Sequence, residues 1–221
     1  MSGCCNHDDY DATFGDKFAR RLARRHGKRG LDRTRRRLVD FLSDQGIEGA
    51  SVLEIGGGIG ELHIELLRRG AGTVTNLEIS TNYEEQAALL IEGAGLAGRV
   101  KRRFVDIAAD PDTVESADVV LLHRVVCCYP DYERLLGEAA GHARRLLVFS
   151  HPPRNIVTRM LLTLDNLVRR MRHNDFRSFV HSPKAMLAVV EAQGLTLRYQ
   201  HRGMSWCVVG FERSVPPAAA A

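Results

Sequence analysis

Between Val52 and Leu62 the chain reads Val-Leu-Glu-Ile-Gly-Gly-Gly-Ile-Gly-Glu-Leu, an apolar strand that runs into a glycine-rich turn and then a helix. Few patterns restrict a fold as much. Glycine lets the backbone turn sharply and lets a ligand approach the main chain where any Cβ would intrude. Strand, turn and helix in that order form the opening unit of a parallel α/β sheet. The rest of the chain continues the pattern, with short apolar runs alternating with helical stretches. The spacing predicts strands over 51–55, 73–78, 100–105, 119–123 and 146–150, and helices over 61–69, 83–94 and 132–142, with a longer helical insertion over 155–173. Ser182 as N-cap and Pro183 at the first helical position open a helix that ends near Gln193, before Gly194. Residues 195–199 and 207–211 read as a closing, antiparallel strand pair.

A length of 221 residues, 44% hydrophobic and 26% charged, suits one globular domain with a full core. The organisation expected is a single domain over 1–214, with a helical cap over 1–50, a ligand-binding core over 51–151, a helical insertion over 152–181 and a closing helix and strands over 182–214. The Pro- and Ala-rich tail, 215–221, is expected to be disordered. No apolar run approaches the roughly 20 residues of a membrane span, and Met-Ser-Gly-Cys-Cys lacks the apolar region of a signal peptide. No membrane partner is therefore expected, and the cytoplasm is the expected address. Five cysteines, Cys4, Cys5, Cys127, Cys128 and Cys207, argue for free thiols rather than a disulfide framework. Vicinal pairs lack the spacer that turns two thiolates toward one zinc ion, so no metal site is expected. A thiol reading, with Cys4, Cys5 and Cys127 or Cys128 gathered around a soft substrate, remains as a minor alternative.

The net charge is +4, but Lys17, Arg20, Arg21, Arg24, Arg25, Lys28, Arg29, Arg33, Arg35, Arg36 and Arg37 crowd one segment. Phe14, Phe18, Leu22, Leu38, Phe41 and Leu42 recur there at helical spacing, which describes amphipathic helices with a solvated arginine face. RNA is the alternative partner for such a face.

Two acids narrow the ligand. Glu78, at the end of the second strand, stands where a carboxylate accepts hydrogen bonds from both ribose hydroxyls of an adenosine. Glu54, inside the first strand, puts negative charge beside the glycine loop. That charge suits a cationic sulfonium carrying an amino group better than an anionic pyrophosphate, so S-adenosylmethionine, leaving as S-adenosylhomocysteine, is the expected cofactor.

On these residues the chain resembles the class I methyltransferases. Glu54, Gly56, Gly57, Gly58 and Gly60 match their first motif, and Glu78, followed by Ile79, matches their ribose-binding acid. Asp106, followed by Ile107, is similar to the acid that holds the adenine amino group, and His123 and Arg124 fall where the fourth strand opens onto the methyl donor. The resemblance implies a Rossmann-like, seven-stranded, mostly parallel sheet with helices on both faces and an antiparallel closing strand. The second half is similar to the magnesium-protoporphyrin IX O-methyltransferases, through Val119–Leu122, the Tyr129-Pro130 pair, Arg145–Ser150 and His181. It departs from them on the substrate side, with Cys128 where a histidine commonly precedes Tyr-Pro and Arg124 where an aspartate is common.

Methyl transfer is an in-line displacement that requires alignment and exclusion of water rather than a nucleophilic side chain. A phenol, hydroxyl or ammonium acceptor gains from a general base, and histidine is the natural candidate. His123 and His151, after the fourth and fifth strands, are the candidates for that work, with Tyr129 as a further catalytic candidate. Arg124, Cys128, Tyr129 and His151 are the candidate substrate contacts. The apolar stripe Met160, Leu161, Leu164, Leu167, Val168 and Met171 is expected to roof the acceptor pocket, and Tyr10 and Phe14 to close over the cofactor. The function expected is methylation of a small-molecule acceptor, on oxygen first. RNA methylation and cofactor binding without methyl transfer are the competing readings. The oligomeric state is not encoded in any motif.

Overall fold

The computed structural model describes residues 7–214. Cys4, Cys5 and the tail over 215–221 lie outside the described residues. Seven strands, β1 (Ser51–Ile55), β2 (Thr73–Glu78), β3 (Val100–Phe104), β4 (Ala117–Leu122), β5 (Ala143–His151), β6 (Leu195–His201) and β7 (Cys207–Arg213), form one sheet in the order β3-β2-β1-β4-β5-β7-β6. Only β7 runs against its neighbours. The helices are α1 (His7–Thr13), α2 (Asp16–Arg29), α3 (Arg33–Asp44), α4 (Glu61–Arg68), α5 (Glu84–Gly93), α6 (Tyr132–His142), α7 (Ile156–Met171) and α8 (Pro183–Ala192).

The central strands are buried on both faces, which is why they read as continuous apolar runs. Successive side chains leave on opposite sides. Val52, Val119 and Val148 join Leu38, Leu42 and Leu66 in one core, while Leu53, Val120 and Leu147 join Leu136, Val190 and Phe211 in the other. The edge strand β3 carries Lys101, Arg102 and Arg103 and buries none of its residues, a composition that discourages pairing with another chain.

The expected elements are all present, with shifts at their ends that have local causes. β4 begins early at Ala117 and is irregular at Asp118, whose carboxylate accepts from Ser51 N at 2.8 Å and Ser51 Oγ at 2.7 Å. β5 runs to His151 because the antiparallel partner β7 continues the ladder to His151↔Cys207. α7 starts after Asn155, whose side chain accepts from Thr158 N at 2.8 Å. Ser182 occupies the N-cap position of α8, but its hydroxyl makes no capping bond there.

From β1 the chain moves outward to β2 and β3, then returns to place β4 on the other side of β1. The strand order reverses at the β1/β4 boundary, and a crevice opens there beyond the C-terminal strand ends.

Candidate cofactor and acceptor site

A cavity of about 1090 Å³, counted to its open mouth, occupies this crevice, a size that suits a ligand of several hundred daltons. β1 delivers the glycine turn to its floor. Gly60 closes the turn with φ 89°, a left-handed conformation that any Cβ would strain, and serves as the N-cap of α4. Gly57 is needed for a different reason. A Cβ there would lie 2.7 Å from Glu54 Oε2 and closer still to Asn76 Nδ2, so the protein's own buried groups, as well as any ligand, exclude a side chain.

Glu54 is buried, and Oε2 lies 2.5 Å from Nδ1 of the fully buried His63 on α4. Glu54 stands beside the turn, as the sequence predicts, and its hydrogen-bond partner is an imidazole contributed nine residues later. Glu78 is likewise buried. Its Oε2 accepts from Gly58 N at 2.8 Å, and its Oε1 from Ile79 N at 2.9 Å and Ser80 N at 3.3 Å. Burial raises the carboxyl above the ordinary range, against the opposing pull of those three N–H groups and of Arg102. Asp106 accepts from Ala108 N at 3.0 Å and from the Tyr129 hydroxyl at 2.8 Å, and Ile107 beside it is buried.

Opposite the acids, Ser150 organises the ends of β4 and β5. Its hydroxyl accepts from Arg124 N at 3.0 Å and lies 2.9 Å from His123 Nδ1. Burial first, then the charges of Arg35 and Arg124, holds His123 well below the ordinary histidine value, so the ring is neutral at physiological pH. Arg124 has φ 62°, stacks its guanidinium 4.8 Å from the Trp206 ring centroid and reaches Asp32 at 3.4 Å. Burial and the neighbouring Arg35 lower its pKa.

The structure brings Glu54, Gly56, Gly57, Gly58, Glu78, Ile79, Asp106, Ile107, His123, Arg124, Cys128 and Tyr129 to the cavity wall, together with Tyr10 and Phe14. Gly60 shapes the turn from beneath. Tyr129 points toward Asp106 rather than toward His123, and burial together with that hydrogen bond raises its phenol far above the usual value. His151 is not among the wall residues. It is the last residue of β5, with Nδ1 2.9 Å from the Pro152 carbonyl and its ring 6.2 Å from that of Phe149. The expected roof over the acceptor is also corrected: no α7 residue lines the cavity and none is buried, because α7 is held to the body by its polar side. Among the described residues, no group of three His, Cys, Asp or Glu side chains stands ready to hold a metal ion.

Arg35, Glu61 and Tyr83 are wall residues for which the sequence offers no site motif. Arg35, read there as part of the solvated face, is only 12% exposed and binds Asp32 at 2.5 Å and Glu61 at 2.7 Å. Its signal was its spacing, since it lies three residues before Leu38 and seven before Leu42 on the buried side of α3. Glu61 opens α4 directly after the glycine turn, and Tyr83 packs beside Gly58. Asp32 caps α3 by accepting from Thr34 N and Arg35 N, both at 3.0 Å. Burial pushes its carboxyl up, but the Arg35 N–H and the charges of Arg35 and Arg124 outweigh burial and hold it low. Its stabilisation is therefore present above the ordinary carboxylate value and lost as pH falls through the depressed one. Asp32→Ala is expected to cost about 1–2 kcal/mol in chemical denaturation at neutral pH, and the difference from wild type should shrink in acid.

The wall fits a zwitterionic nucleoside ligand. Glu54, Glu61 and Glu78 are acceptors, and among the described residues Arg35 Nε, Arg124 Nε and His123 Nε2 are buried without a hydrogen-bond partner in the protein. Such orphaned groups call for a ligand to satisfy them.

Residues 23–200 match a family model described as a methyltransferase domain. Of the curated proteins compared, none matches. Among solved structures, the chain is similar to magnesium protoporphyrin IX methyltransferase from Synechocystis PCC 6803 with bound SAH, with a TM-score of 0.68, 19% identity and 94% of each chain covered. It is also similar to an O-methyltransferase family protein from Burkholderia thailandensis, with a TM-score of 0.66 and 22% identity over 84% of this chain and 57% of that one. A third, the [4+2]-cyclase SpnF, has a TM-score of 0.63 and 14% identity, with 81% of each chain covered. Family match, strand order and the acid-and-glycine wall agree, and the chain belongs to the S-adenosylmethionine-dependent methyltransferases.

Proposed function

We propose that this enzyme methylates a small, largely apolar or aromatic acceptor on oxygen, by in-line displacement, with His123 as the general base. The observation that carries the reading is His123 Nε2, a buried nitrogen without a partner in the protein on the wall of the cofactor cavity. With Nδ1–H donated to Ser150 Oγ, the bare Nε2 is directed to take an acceptor proton. S-adenosylmethionine supplies a methyl group already activated by the sulfonium. The chain's part is to bind, align and keep water out. Glu78 and Asp106 hold the nucleoside end, Arg35, Glu54 and Glu61 face the amino-acid end, and Tyr10, Phe14, Phe18 and Leu22 supply apolar wall for an acceptor.

His123→Ala is expected to lower kcat by about 10²–10⁴-fold on a hydroxyl acceptor while leaving cofactor affinity within a few-fold. The pH profile carries a sign. Activity that needs neutral His123 is present above its pKa and lost as pH falls through it, and that pKa is depressed. The acid limb of kcat/KM should therefore lie below 6.5, the unperturbed value. An unchanged kcat in His123→Ala would discard the base and point to an acceptor that is ionised before it binds.

A further inference from the structure

α7 turns its apolar side to water. Ile156 is 74% exposed, Met160 67% and Met171 73%, and Val157, Leu161, Leu164, Leu167 and Val168 are exposed as well. At 3.6 residues per turn these eight side chains fill one continuous arc of about 140°. Exposed arginines border the arc, Arg159 and Arg170 on one edge and Arg172 on the other. The protein-facing side is polar except for the half-buried Leu162. Asn166 exchanges two 2.8 Å hydrogen bonds with Ser178, and Arg169 reaches Thr13 Oγ1 at 3.1 Å.

We propose that α7 is an interfacial helix that docks this enzyme on an anionic lipid surface. The charges choose the occupant. A second copy seated on the same stripe would set Arg159, Arg170 and Arg172 against their own counterparts. The one acid of the helix, Asp165, is engaged by Arg169 at 2.8 Å on the polar side and offers them no relief. An anionic headgroup layer answers the arginines while the acyl boundary takes the apolar arc. Among the described residues no helix is long and apolar enough to cross a membrane, and sixteen residues span only about 24 Å. The helix therefore lies in the surface. The absence of spanning runs and of a signal peptide leads to the expectation of no membrane partner, and this proposal departs from that expectation. Docking also explains why a helix with no buried residue exposes eight large apolar side chains.

The test is sedimentation of the full chain with vesicles of phosphatidylcholine alone, or of equal parts phosphatidylcholine and phosphatidylglycerol, at low and high salt. Expected is binding about tenfold or more tighter to the anionic vesicles, weakened by salt. Leu164→Glu and Met160→Glu should each lower it by about tenfold, and Arg159→Glu with Arg170→Glu should remove the preference for anionic lipid. S-adenosylmethionine affinity should be unchanged throughout, which reports that the variants fold. Equal sedimentation of wild type and Leu164→Glu, or no vesicle binding, overturns the proposal. A concentration-dependent dimer dissolved by Leu164→Glu, without vesicle binding, overturns it in favour of a second copy.

Discussion

Titration of Glu78→Ala with S-adenosylmethionine should show affinity weakened by about tenfold or more, equivalent to about 1.4 kcal/mol. The carboxylate is oriented before any ligand arrives, because Gly58, Ile79 and Ser80 all donate backbone N–H groups to it. Removing it costs the ligand a charged acceptor and frees the link between the end of β2 and the glycine turn. A pH series separates these effects. Burial raises the Glu78 pKa above the ordinary carboxylate value of 4.5. Cofactor affinity that needs the ionised form should thus begin to fall at a higher pH than for a solvent-exposed acid. Stability moves the other way, since a buried charge costs the folded apoprotein until protonation relieves it, so this group favours the fold as pH drops through its raised value. Affinity and apoprotein stability that decline together over this range would show that Glu78 is held otherwise. Full affinity in Glu78→Ala would remove it from the cofactor site.

The second large effect is on stability. Glu54→Ala strands His63, which is fully buried 2.5 Å from the lost carboxylate, and should cost about 1–3 kcal/mol. The loss should appear as a lower urea midpoint. His63→Ala alone should be similarly damaging, and the double replacement much less than the sum, because the singles each leave one polar group unpaired. Additive losses within about 0.5 kcal/mol would show that the two side chains do not act as a pair.

The fold was legible because its main determinants are local. The strand and turn from Val52 to Gly60, the cap-and-proline start at Ser182-Pro183 and the apolar runs of β4 and β5 each announce themselves within a few residues. Glu78 and Asp106 were legible for the same reason, since each ends or follows a strand beside the switch point. What stayed hidden depends on partners distant in sequence. Nothing near Glu54 says that His63 will meet it. Arg35 sits in a run of arginines whose composition masks its buried spacing. The stripe on α7 announced one-sidedness correctly, but periodicity does not reveal which medium an apolar side meets, and this one faces out. His151 was placed by strand end alone, and the longer pairing of β5 with β7 draws it into the ladder instead of the cavity.

α1 ties together parts of the cavity wall that lie far apart in sequence. It contributes Tyr10 to that wall, with the Tyr10 hydroxyl on the Cys128 carbonyl at 2.5 Å, the Asp11 carboxylate accepting from Ser80 Oγ at 2.5 Å and the Asp11 carbonyl from Asn82 Nδ2 at 3.2 Å. Thr13 adds a further tie, to Arg169 of α7 and to Asn174. A single short helix thus couples the turn after β2, the turn after β4 and the segment around α7, so a displacement of any one of them is transmitted to the other two through α1.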